Sequence, residues 1–317
     1  MRPREISTGV YCLPVSIANV YFVGKRADPW VLVDTAIPGR AAEIRRAAEW
    51  LYGAPPQAIV LTHGHMDHSG SALQLAQTWD LPIYAHRLEI PFLRGQSYPP
   101  GDPSVGGFLA MLSRFVSPKP LDFGDRVHPL PVNRAIPGIK DWMWYHTPGH
   151  SPGHVSLFRP ADGTLIAGDA VTTMNCDSLV SVARRFPQVC PPPAPFTCDW
   201  TQARESVALL AELRPLTIAA GHGRPMSGGQ AVMQLAELAT DFPIPARGRY
   251  VARPAQANEN GIVSLPPKPP DPLAGVAVGL GILAAGGAMF AVAAHRLRKQ
   301  KRQLLDPAKA DIPIQAS

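Results

Sequence analysis

The sequence predicts a mixed α/β layered domain that is followed by a C-terminal membrane-spanning helix. Short apolar segments rich in Val, Tyr and Phe open the chain, and strand-like and helix-like patterns then alternate up to residue 242. This order is typical of sheets that are covered by helices. Near the C-terminus, residues 273–294 contain no charged side chain and are long enough to cross the hydrocarbon core of a bilayer.

The individual strands and helices follow from the spacing of apolar residues. The segments GVYCLPV, NVYFVG and WVLVD are predicted strands, since they are rich in β-forming residues and separated by turn residues. The run AIVL at 58–61 predicts a buried strand that ends directly before Thr62 and His63, so a polar cluster starts at the carboxyl end of a strand. Apolar residues at helical spacing predict helices over 40–52, 202–213 and 228–240.

The positive charge of the chain lies mostly in its tail. The formal net charge is +6, and after Ala294 six basic residues stand against two acidic ones, which assigns +4 to the tail and leaves +2 for the rest. A nearly neutral domain lacks the basic patch of a nucleic-acid-binding protein, so no nucleic-acid partner is expected. The four cysteines form no CxxC pair and are predicted to be reduced thiols.

The composition divides the chain into four segments: an α/β domain over 1–242, a Pro-rich linker over 243–272, the transmembrane helix over 273–294 and a basic tail over 295–317. The helix is expected to be a single-pass C-terminal membrane anchor. The N-terminus shows no apolar export signal, which favours a cytoplasmic domain, although the basic tail alone favours the opposite orientation. A GxxxG pattern at Gly275 and Gly279 would allow a homodimer.

The sequence THGHMDH at 62–68 carries the strongest chemical signal. It places His63, His65, Asp67 and His68 in one tight loop after a buried strand. Such a loop cannot bury four polar side chains as packing groups, and neutral imidazole and carboxylate are ligands that zinc and iron accept. The motif therefore predicts a metal site, and a solvated polar turn is the alternative that it disfavours.

This motif resembles the signature of the metallo-β-lactamase superfamily of binuclear hydrolases, and further family motifs follow in order. HTPGHSPGH, which contains His150, is similar to the second ligand motif; LIAGDA, which contains Asp169, is similar to the bridging-aspartate motif; AAGHGRP, which contains His222, is similar to the last ligand motif. The resemblance covers residues 6–240. It implies a four-layer αβ/βα sandwich for the catalytic domain.

The resemblance also implies how the ligands divide between two divalent metal ions. The first ion would bind His63, His65 and His150; the second would bind Asp67, His68 and His222; Asp169 would bridge both. Zinc is the expected metal, with iron or manganese as alternatives. A metal-bridging hydroxide would attack an acyl bond of a small-molecule thioester, lactone or ester, and Asp67 would be the catalytic residue that orients it.

Departures from the family patterns narrow the function. His65 in place of a glutamate argues against the di-iron flavoproteins of this fold, and Asp169 together with His68 argues against true β-lactamases. Thioesterases of the glyoxalase II type and lactonases resemble the motifs best, although no glutathione-binding domain is recognisable. A phosphodiesterase or nuclease, a mononuclear iron persulfide dioxygenase and a non-catalytic metal-binding membrane scaffold stay open as alternatives.

Several side chains near the motifs are predicted to have supporting roles. His146 and His154 are interpreted as structural neighbours of the ligands, and His86 as a surface residue at a strand end. Asp34 resembles a family aspartate that lies close to the site. Two Pro-rich segments are either walls of a substrate pocket or simple connections, namely 98–102 and 190–193.

Overall fold

The computed structural model describes residues 2–113, 120–184 and 186–270. The chain divides into two units, of which the first runs from Met1 to Pro269 and contains every described helix and strand. The second unit runs from Pro270 to Ser317, and apart from Pro270 it lies outside the described residues.

The first sheet contains seven strands that lie side by side in chain order. They pair antiparallel from the first to the fourth and parallel from the fourth to the seventh. The strands are β1 (Arg4–Ser7), β2 (Val10–Val15), β3 (Ala18–Val23), β4 (Val31–Val33), β5 (Ile59–Val60), β6 (Ile83–Ala85) and β7 (Val127–Pro129). Every residue of β3 and β4 is buried, as expected for strands that are covered on both faces.

The second sheet contains five strands, in the spatial order β12, β11, β10, β9, β8. The strands are β8 (Met143–His146), β9 (Val155–Arg159), β10 (Thr164–Gly168), β11 (Thr217–Ala220) and β12 (Met226–Ser227). β10 and β11 pair parallel, whereas the other neighbours pair antiparallel. The carboxyl ends of β10 and β11 therefore lie at the same edge of the sheet.

Eight α-helices are described in the part of the chain that the structure covers. They are α1 (Ala41–Tyr52), α2 (Met66–Ser69), α3 (Ala72–Trp79), α4 (Ile90–Leu93), α5 (Phe108–Ser113), α6 (Leu179–Arg184), α7 (Trp200–Glu212) and α8 (Gly229–Thr240). The helices predicted from apolar spacing correspond to α1, α7 and α8. α7 begins two residues before its predicted start because the Asp199 carboxylate accepts the backbone N–H of Gln202 and caps the helix.

Three buried clusters of apolar side chains show how the layers pack. The first joins Leu32 and Ile59 of the first sheet to Ile44 of α1 and Leu75 of α3. The second lies between the sheets, and it joins residues such as Tyr21, Val60, Leu157 and Ile166. The third joins Leu165 and Ile218 of the second sheet to Val207 of α7 and Leu235 of α8. Helices therefore cover the outer face of each sheet, which agrees with the expected αβ/βα sandwich.

The structure corrects the part of the predicted fold class that concerned a membrane. Within residues 2–113, 120–184 and 186–270, no helix is long and apolar enough to cross a bilayer. The longest, α7, has 13 residues, which gives a length of about 20 Å against a hydrocarbon core of about 30 Å. This finding overturns the transmembrane helix of the predicted fold class and the predicted localisation as a single-pass membrane protein.

The segment that carried the membrane prediction, 273–294, lies outside the described residues. Its 22 residues include 13 Ala or Gly and no charged residue. The expected homodimer through Gly275 and Gly279 depends on the same segment.

Residues that were predicted as a Pro-rich linker, 243–272, mostly belong to the compact unit that ends at Pro269. They include a hairpin formed by β13 (Gln256–Asn258) and β14 (Gly261–Ser264). Tyr250 and Ala255 are buried against Cys198 and Trp200. This packing joins the C-terminal part of the unit to the start of α7.

Candidate metal centre

The central motif of the sequence lies at the carboxyl end of β5. His63 and His65 stand in the loop after this strand, and Asp67 and His68 lie on α2, the short helix that follows. The backbone is extended at His65, with φ −58° and ψ 146°, and becomes helical at Met66. Because the chain changes direction there, the rings of His65 and His68 flank the ring of His63 at centroid distances of 4.7 and 4.3 Å.

The other three predicted ligands come from the second sheet. His150 lies in the loop between β8 and β9, Asp169 directly follows β10, and His222 follows β11 after Gly221. Asp169 and His222 therefore emerge at one sheet edge. A Cβ atom at Gly221 would collide with the Asp169 carboxylate and the His68 ring, so only glycine allows the backbone to pass this close.

All seven predicted residues lie in one cluster. Their ligand atoms form three overlapping groups, and within each group the atoms lie within 4.8 Å of one another. The groups are His63, His65 and His150; His63, His68 and Asp169; and Asp67, His68 and His222. We name the first group the histidine triad and the last the aspartate triad. The structure thus brings together the predicted residues, whereas their roles as metal ligands stay a prediction.

Buried polar atoms that make no hydrogen bond indicate that the cluster fits a cation. Nε2 of His63, Nε2 of His68 and Oδ1 of Asp169 are buried and make no hydrogen bond, although nearly all buried polar atoms in proteins are paired. In the histidine triad, Nδ1 of His65 and Nε2 of His150 face each other at 3.0 Å. Five imidazoles and two carboxylates that converge in this way are a donor set for divalent transition metals.

The imidazoles of the histidine triad are held neutral. Burial lowers the pKa of His65 to about 4, although the Asp67 carboxylate opposes this shift. Burial, together with neighbouring histidines, also lowers the pKa of His63 and of His150 well below the usual value. Neutral imidazoles keep a lone pair free for a metal ion, so this triad is poised to bind without first losing protons.

The aspartate triad has the opposite electrostatic character. Burial alone would lower the pKa of His68, but the carboxylates of Asp169, Asp67 and Asp34 raise it to about 10. Burial opposes charge at His222 as well, yet Asp169 raises its pKa well above the usual value. The two histidines in turn hold the pKa of Asp67 and of Asp169 below the usual value, against the effect of burial. Without a metal ion, this triad consists of charged pairs.

Asp34 supports the aspartate triad from the end of β4. Its Oδ2 atom lies 2.8 Å from Nδ1 of His68, and its carboxylate also accepts the backbone N–H and the hydroxyl of Thr62. A carboxylate on one ring nitrogen fixes the orientation of a histidine whose other nitrogen faces a metal. Asp34 has a left-handed φ of 59°, as has Ala36 with 56°, so the tight turn after β4 presents the carboxylate to the ligand loop. The structure thus places Asp34 beside the site, as the resemblance implied.

Comparison with known proteins agrees with this geometry. The model of the family described as "Metallo-beta-lactamase superfamily" matches residues 13–222, a stretch that contains all seven clustered residues. The chain belongs to the metallo-β-lactamase superfamily. This confirms the family that the motifs predicted.

Curated relatives within the metallo-β-lactamase superfamily show the same relationship. The chain is 41% identical over 241 residues to "Probable metallo-hydrolase YflN" of Bacillus subtilis, which covers 74% of this chain and 91% of that protein. It is 32% identical over 232 residues to "Probable metallo-hydrolase YybB" of the same organism, covering 70% of this chain and 91% of that protein. The protein is therefore an enzyme, a metal-dependent hydrolase, as the motifs predicted.

Solved structures of metallo-β-lactamase superfamily members support the fold alone. A crystal structure of the BLEG-1 B3 metallo-β-lactamase superposes with a TM-score of 0.52 at 22% identity, covering 75% of this chain and all of that chain. A superfamily protein from Sulfolobus tokodaii superposes with a TM-score of 0.53 at 21% identity, covering 75% of this chain and 88% of that chain. Both agree with the α/β sandwich that the three apolar clusters define.

Two of the remaining histidines act as neighbours of the ligands, as predicted. His154 accepts the backbone N–H of Asp169 at Nε2 and lies 2.9 Å from the Thr147 hydroxyl at Nδ1. The same ring therefore holds the backbone of the residue that lies between the two triads. His146 contacts the carbonyl of Pro152 in the loop that carries His150.

His86 is not the surface residue that the sequence predicted. Only 7% of it is exposed, because its ring stacks on His146 at 4.2 Å and meets Trp144 edge-on. Burial lowers the pKa of His86 to about 3. The sequence favours an exposed position because His86 lies at a strand end next to polar residues. The second sheet buries His86, since β8 supplies His146 and Trp144.

The segment 98–102 lies along the site. The ring of Tyr98 is 4.6 Å from the ring of His65, and Phe196 approaches the same imidazole at 6.0 Å. Both aromatic residues are half-buried. In the other Pro-rich segment, 190–193, the backbone of Cys190 pairs with that of Thr172.

Sequence reasoning missed Glu89. This carboxylate is completely buried and contacts both loops that carry the histidine triad. A glutamate inside the apolar run LEIPFL was the available signal, since an isolated acid in such a run must find buried donors. No local pattern indicates which donors it would meet.

Proposed function

We propose that this metallo-hydrolase binds two divalent metal ions and hydrolyses an acyl bond of a small molecule, such as a thioester, a lactone or another carboxylic ester. The observation that carries the proposal is the position of Asp169. Its Oδ2 atom lies 3.5 Å from Nε2 of His150 and 3.1 Å from Nε2 of His222, so one carboxylate reaches both triads. A single ion would leave one of these triads without a partner.

The donor set favours zinc as the metal, because imidazole and carboxylate together form common zinc sites, whereas iron and manganese accept the same ligands. The histidine triad would hold one ion and the aspartate triad the other, with Asp169 shared. When bound, the ions would polarise the substrate carbonyl and lower the pKa of a water molecule towards neutrality.

Asp67 is proposed as the catalytic carboxylate. Its side chain is 25% exposed, whereas that of its neighbour His68 is fully buried. Asp67 Oδ2 lies 3.3 Å from Nε2 of His222, and the charged histidines keep the Asp67 pKa low. An ionised carboxylate at the open side of the cluster accepts a hydrogen bond from a water molecule and holds it towards the substrate.

The surroundings of His65 support a substrate with an apolar part. Tyr98 and Phe196 place two half-buried rings beside this ligand, and aromatic walls with a few converging polar groups are typical of small-molecule sites. One relative that matches part of the chain, the hydroxyacylglutathione hydrolase of Erwinia tasmaniensis, is 30% identical over 146 residues, which is 45% of this chain and 43% of that protein. Its name makes a thioester a candidate substrate class here.

A substrate panel tests the proposal. Thioester, lactone, carboxylic ester and phosphodiester substrates are offered to protein supplied with zinc, manganese or iron, while oxygen uptake and metal content are recorded. We expect turnover of at least one acyl substrate, two ions per chain and no oxygen uptake. Asp67→Ala is expected to lose this turnover, and Asp125→Ala, which removes an exposed carboxylate, is the matched control. Phosphodiester turnover alone, oxygen consumption, or unchanged activity of Asp67→Ala would contradict the proposal.

A further inference from the structure

Glu89 lies at a junction of the two sheets. It occupies the turn between β6 and α4 and is completely buried. β5 and β6 are parallel neighbours, so the residues that follow them lie at the same sheet edge, and Glu89 meets the loop after β5. The loop between β8 and β9 reaches the same place from the second sheet.

The Glu89 carboxylate collects four hydrogen bonds from the segments around the histidine triad. Oε2 accepts the backbone N–H of Gly64 at 2.9 Å and the hydroxyl of Tyr98. Oε1 accepts the hydroxyl of Ser151 at 2.8 Å and the backbone N–H of Gly153 at 2.7 Å. Gly64 stands between His63 and His65, and Ser151 directly follows His150. One carboxylate thus links the two loops that supply this triad.

Two positions of the ligand motifs require glycine because their backbone packs closely against this junction. A Cβ atom at Gly153 would lie 2.8 Å from Cγ of Glu89, and one at Gly64 would collide with the hydroxyl of Tyr98. Neither glycine has a left-handed backbone, so close approach and not φ requires them. Both loops therefore pack directly against Glu89 and its donor Tyr98.

We propose that Glu89 is a positioning residue that sets the separation of the His63–His65 loop and the His150 loop, and thereby the metal affinity of the histidine triad. The proposal rests on the proposed binding of metal ions by this triad. The Glu89 oxygen atoms accept hydrogen bonds from residues near the ligands and not from the ligands themselves, so Glu89 acts on the ligands through the segments that carry them. Supports of this kind are worth about 10- to 100-fold in metal affinity.

Groups other than Glu89 support the aspartate triad, so the proposed effect of Glu89 is specific to the histidine triad. His68 is held through Nδ1 by Asp34, and His222 through Nδ1 by the backbone carbonyl of Ile17 at 2.7 Å. Glu89 has no hydrogen bond to the residues of this second set among those the structure describes. Loss of Glu89 should therefore weaken one triad, and loss of Asp34 should weaken the other.

The experiment measures each triad alone in the full-length chain. His222→Ala leaves the histidine triad complete, and His65→Ala leaves the aspartate triad complete. Glu89→Gln and Asp34→Asn are introduced into both backgrounds, and Glu259→Gln, which alters a 63% exposed glutamate paired with Arg87, is the control for loss of a nearby carboxylate. Zn²⁺ affinity is measured by competition with a chromophoric chelator, and the visible spectrum of bound Co²⁺ reports the ligand geometry.

We expect Glu89→Gln to lower Zn²⁺ affinity by about 10- to 100-fold at the histidine triad and by less than about threefold at the aspartate triad. Asp34→Asn should give the reverse, and Glu259→Gln should change neither. The Co²⁺ spectrum of the histidine triad should change in Glu89→Gln. Equal losses at both triads, or an unchanged histidine triad in a folded Glu89→Gln protein, would overturn the proposal.

A second variant keeps the test decisive if Glu89→Gln does not fold. Tyr98→Phe combined with Ser151→Ala removes one donor from each oxygen of Glu89 and leaves the carboxylate in place. It should weaken the histidine triad by several-fold, and unchanged affinity would overturn the proposal. Absence of metal binding by the unmodified protein would overturn the proposed function, whereas two-ion binding that Glu89 does not influence would overturn this inference alone.

Discussion

The two triads of the metal centre lie side by side, yet they differ in charge. In the histidine triad, burial lowers the pKa of His65 to about 4, so three neutral imidazoles face one another. In the aspartate triad, neighbouring carboxylates raise the pKa of His68 to about 10 against the effect of burial. The difference arises because the carboxylates of Asp169, Asp67 and Asp34 together raise the pKa of His68. At His65, by contrast, burial outweighs the effect of Asp67 and Asp169.

Because of this difference in charge, metal binding should release protons from one triad and not from the other. A metal ion that enters the histidine triad meets free lone pairs, whereas an ion that enters the aspartate triad must displace protons from His68 and His222. The histidine triad should therefore fill first at neutral pH. Asp169, which reaches both, is the group through which the two triads influence each other.

The largest effect is expected from Asp169→Asn, which removes the charge that both triads share. Loss of several kcal/mol of stabilisation corresponds to a loss of kcat/KM of at least about a thousandfold. Steady-state kinetics on the best substrate of the panel and metal analysis of the purified variant measure it. Activity within tenfold of the unmodified protein, with two ions still bound, would show that the triads work independently.

The second-largest effect is expected in the pH dependence of metal affinity, which should differ between the two triads. His68 and His222 hold protons at pH 7 in the metal-free protein, so Zn²⁺ affinity of the aspartate triad should rise by about a hundredfold per pH unit near neutrality, since about two protons are released. The histidine triad should change little above pH 7. Competition titrations at pH 7 and pH 8 in His65→Ala and His222→Ala measure both slopes, and equal slopes would remove the distinction.

Acid should destabilise the metal-free protein through its neutral histidines. The folded-state pKa is about 4 for His65 and about 3 for His154 and His86, with burial as the main cause. Because these values lie below that of an unfolded histidine, about 6.5, the stability is present above pH 6.5 and is lost as pH falls towards 3. We expect the Tm of chelator-treated protein to fall by roughly 10 °C between pH 7 and pH 5.

The variant His86→Asn provides the control for this acid effect. The amide oxygen of asparagine can accept the Leu88 N–H in place of the histidine Nδ1, and the amide does not titrate. The variant should be less stable at neutral pH and should lose less stability on acidification. A pH profile of Tm that stays parallel to that of the unmodified protein would show that His86 contributes nothing to the acid sensitivity.

A smaller effect on metal affinity is expected at Thr62, which contacts a residue of the histidine triad and the carboxylate that supports the aspartate triad. Its hydroxyl donates to Asp34 and lies 3.1 Å from Nδ1 of His63. Thr62→Val should weaken both triads by a similar amount, about fivefold, which is the effect of a hydrogen bond worth about 1 kcal/mol. Thr62→Ser should restore affinity, and a loss confined to one triad would show that Thr62 supports only that side.

Prediction from sequence succeeded where the signal was local. The ligand motif lies within six residues, and apolar spacing indicated α1, α7 and α8 because each helix buries one face. The prediction of a membrane-spanning helix was wrong for the described residues, among which no helix is long and apolar enough to cross a bilayer. Prediction from sequence also missed the packing of Tyr250 and Ala255 against Cys198 and Trp200, since a Pro-rich segment gives no periodic pattern.

The family, the enzyme class and the identities of the clustered residues could be predicted from the chain alone, because short motifs with fixed spacing and a divalent-metal chemistry are local properties. The difference in charge between the two triads follows from how the sheets pack. The charge of each triad depends on carboxylates brought from β4 and β10, and Glu89 joins Gly64 to Gly153 across two sheets. Such contacts between distant segments leave no periodic trace in the chain, because they arise only when the sheets pack.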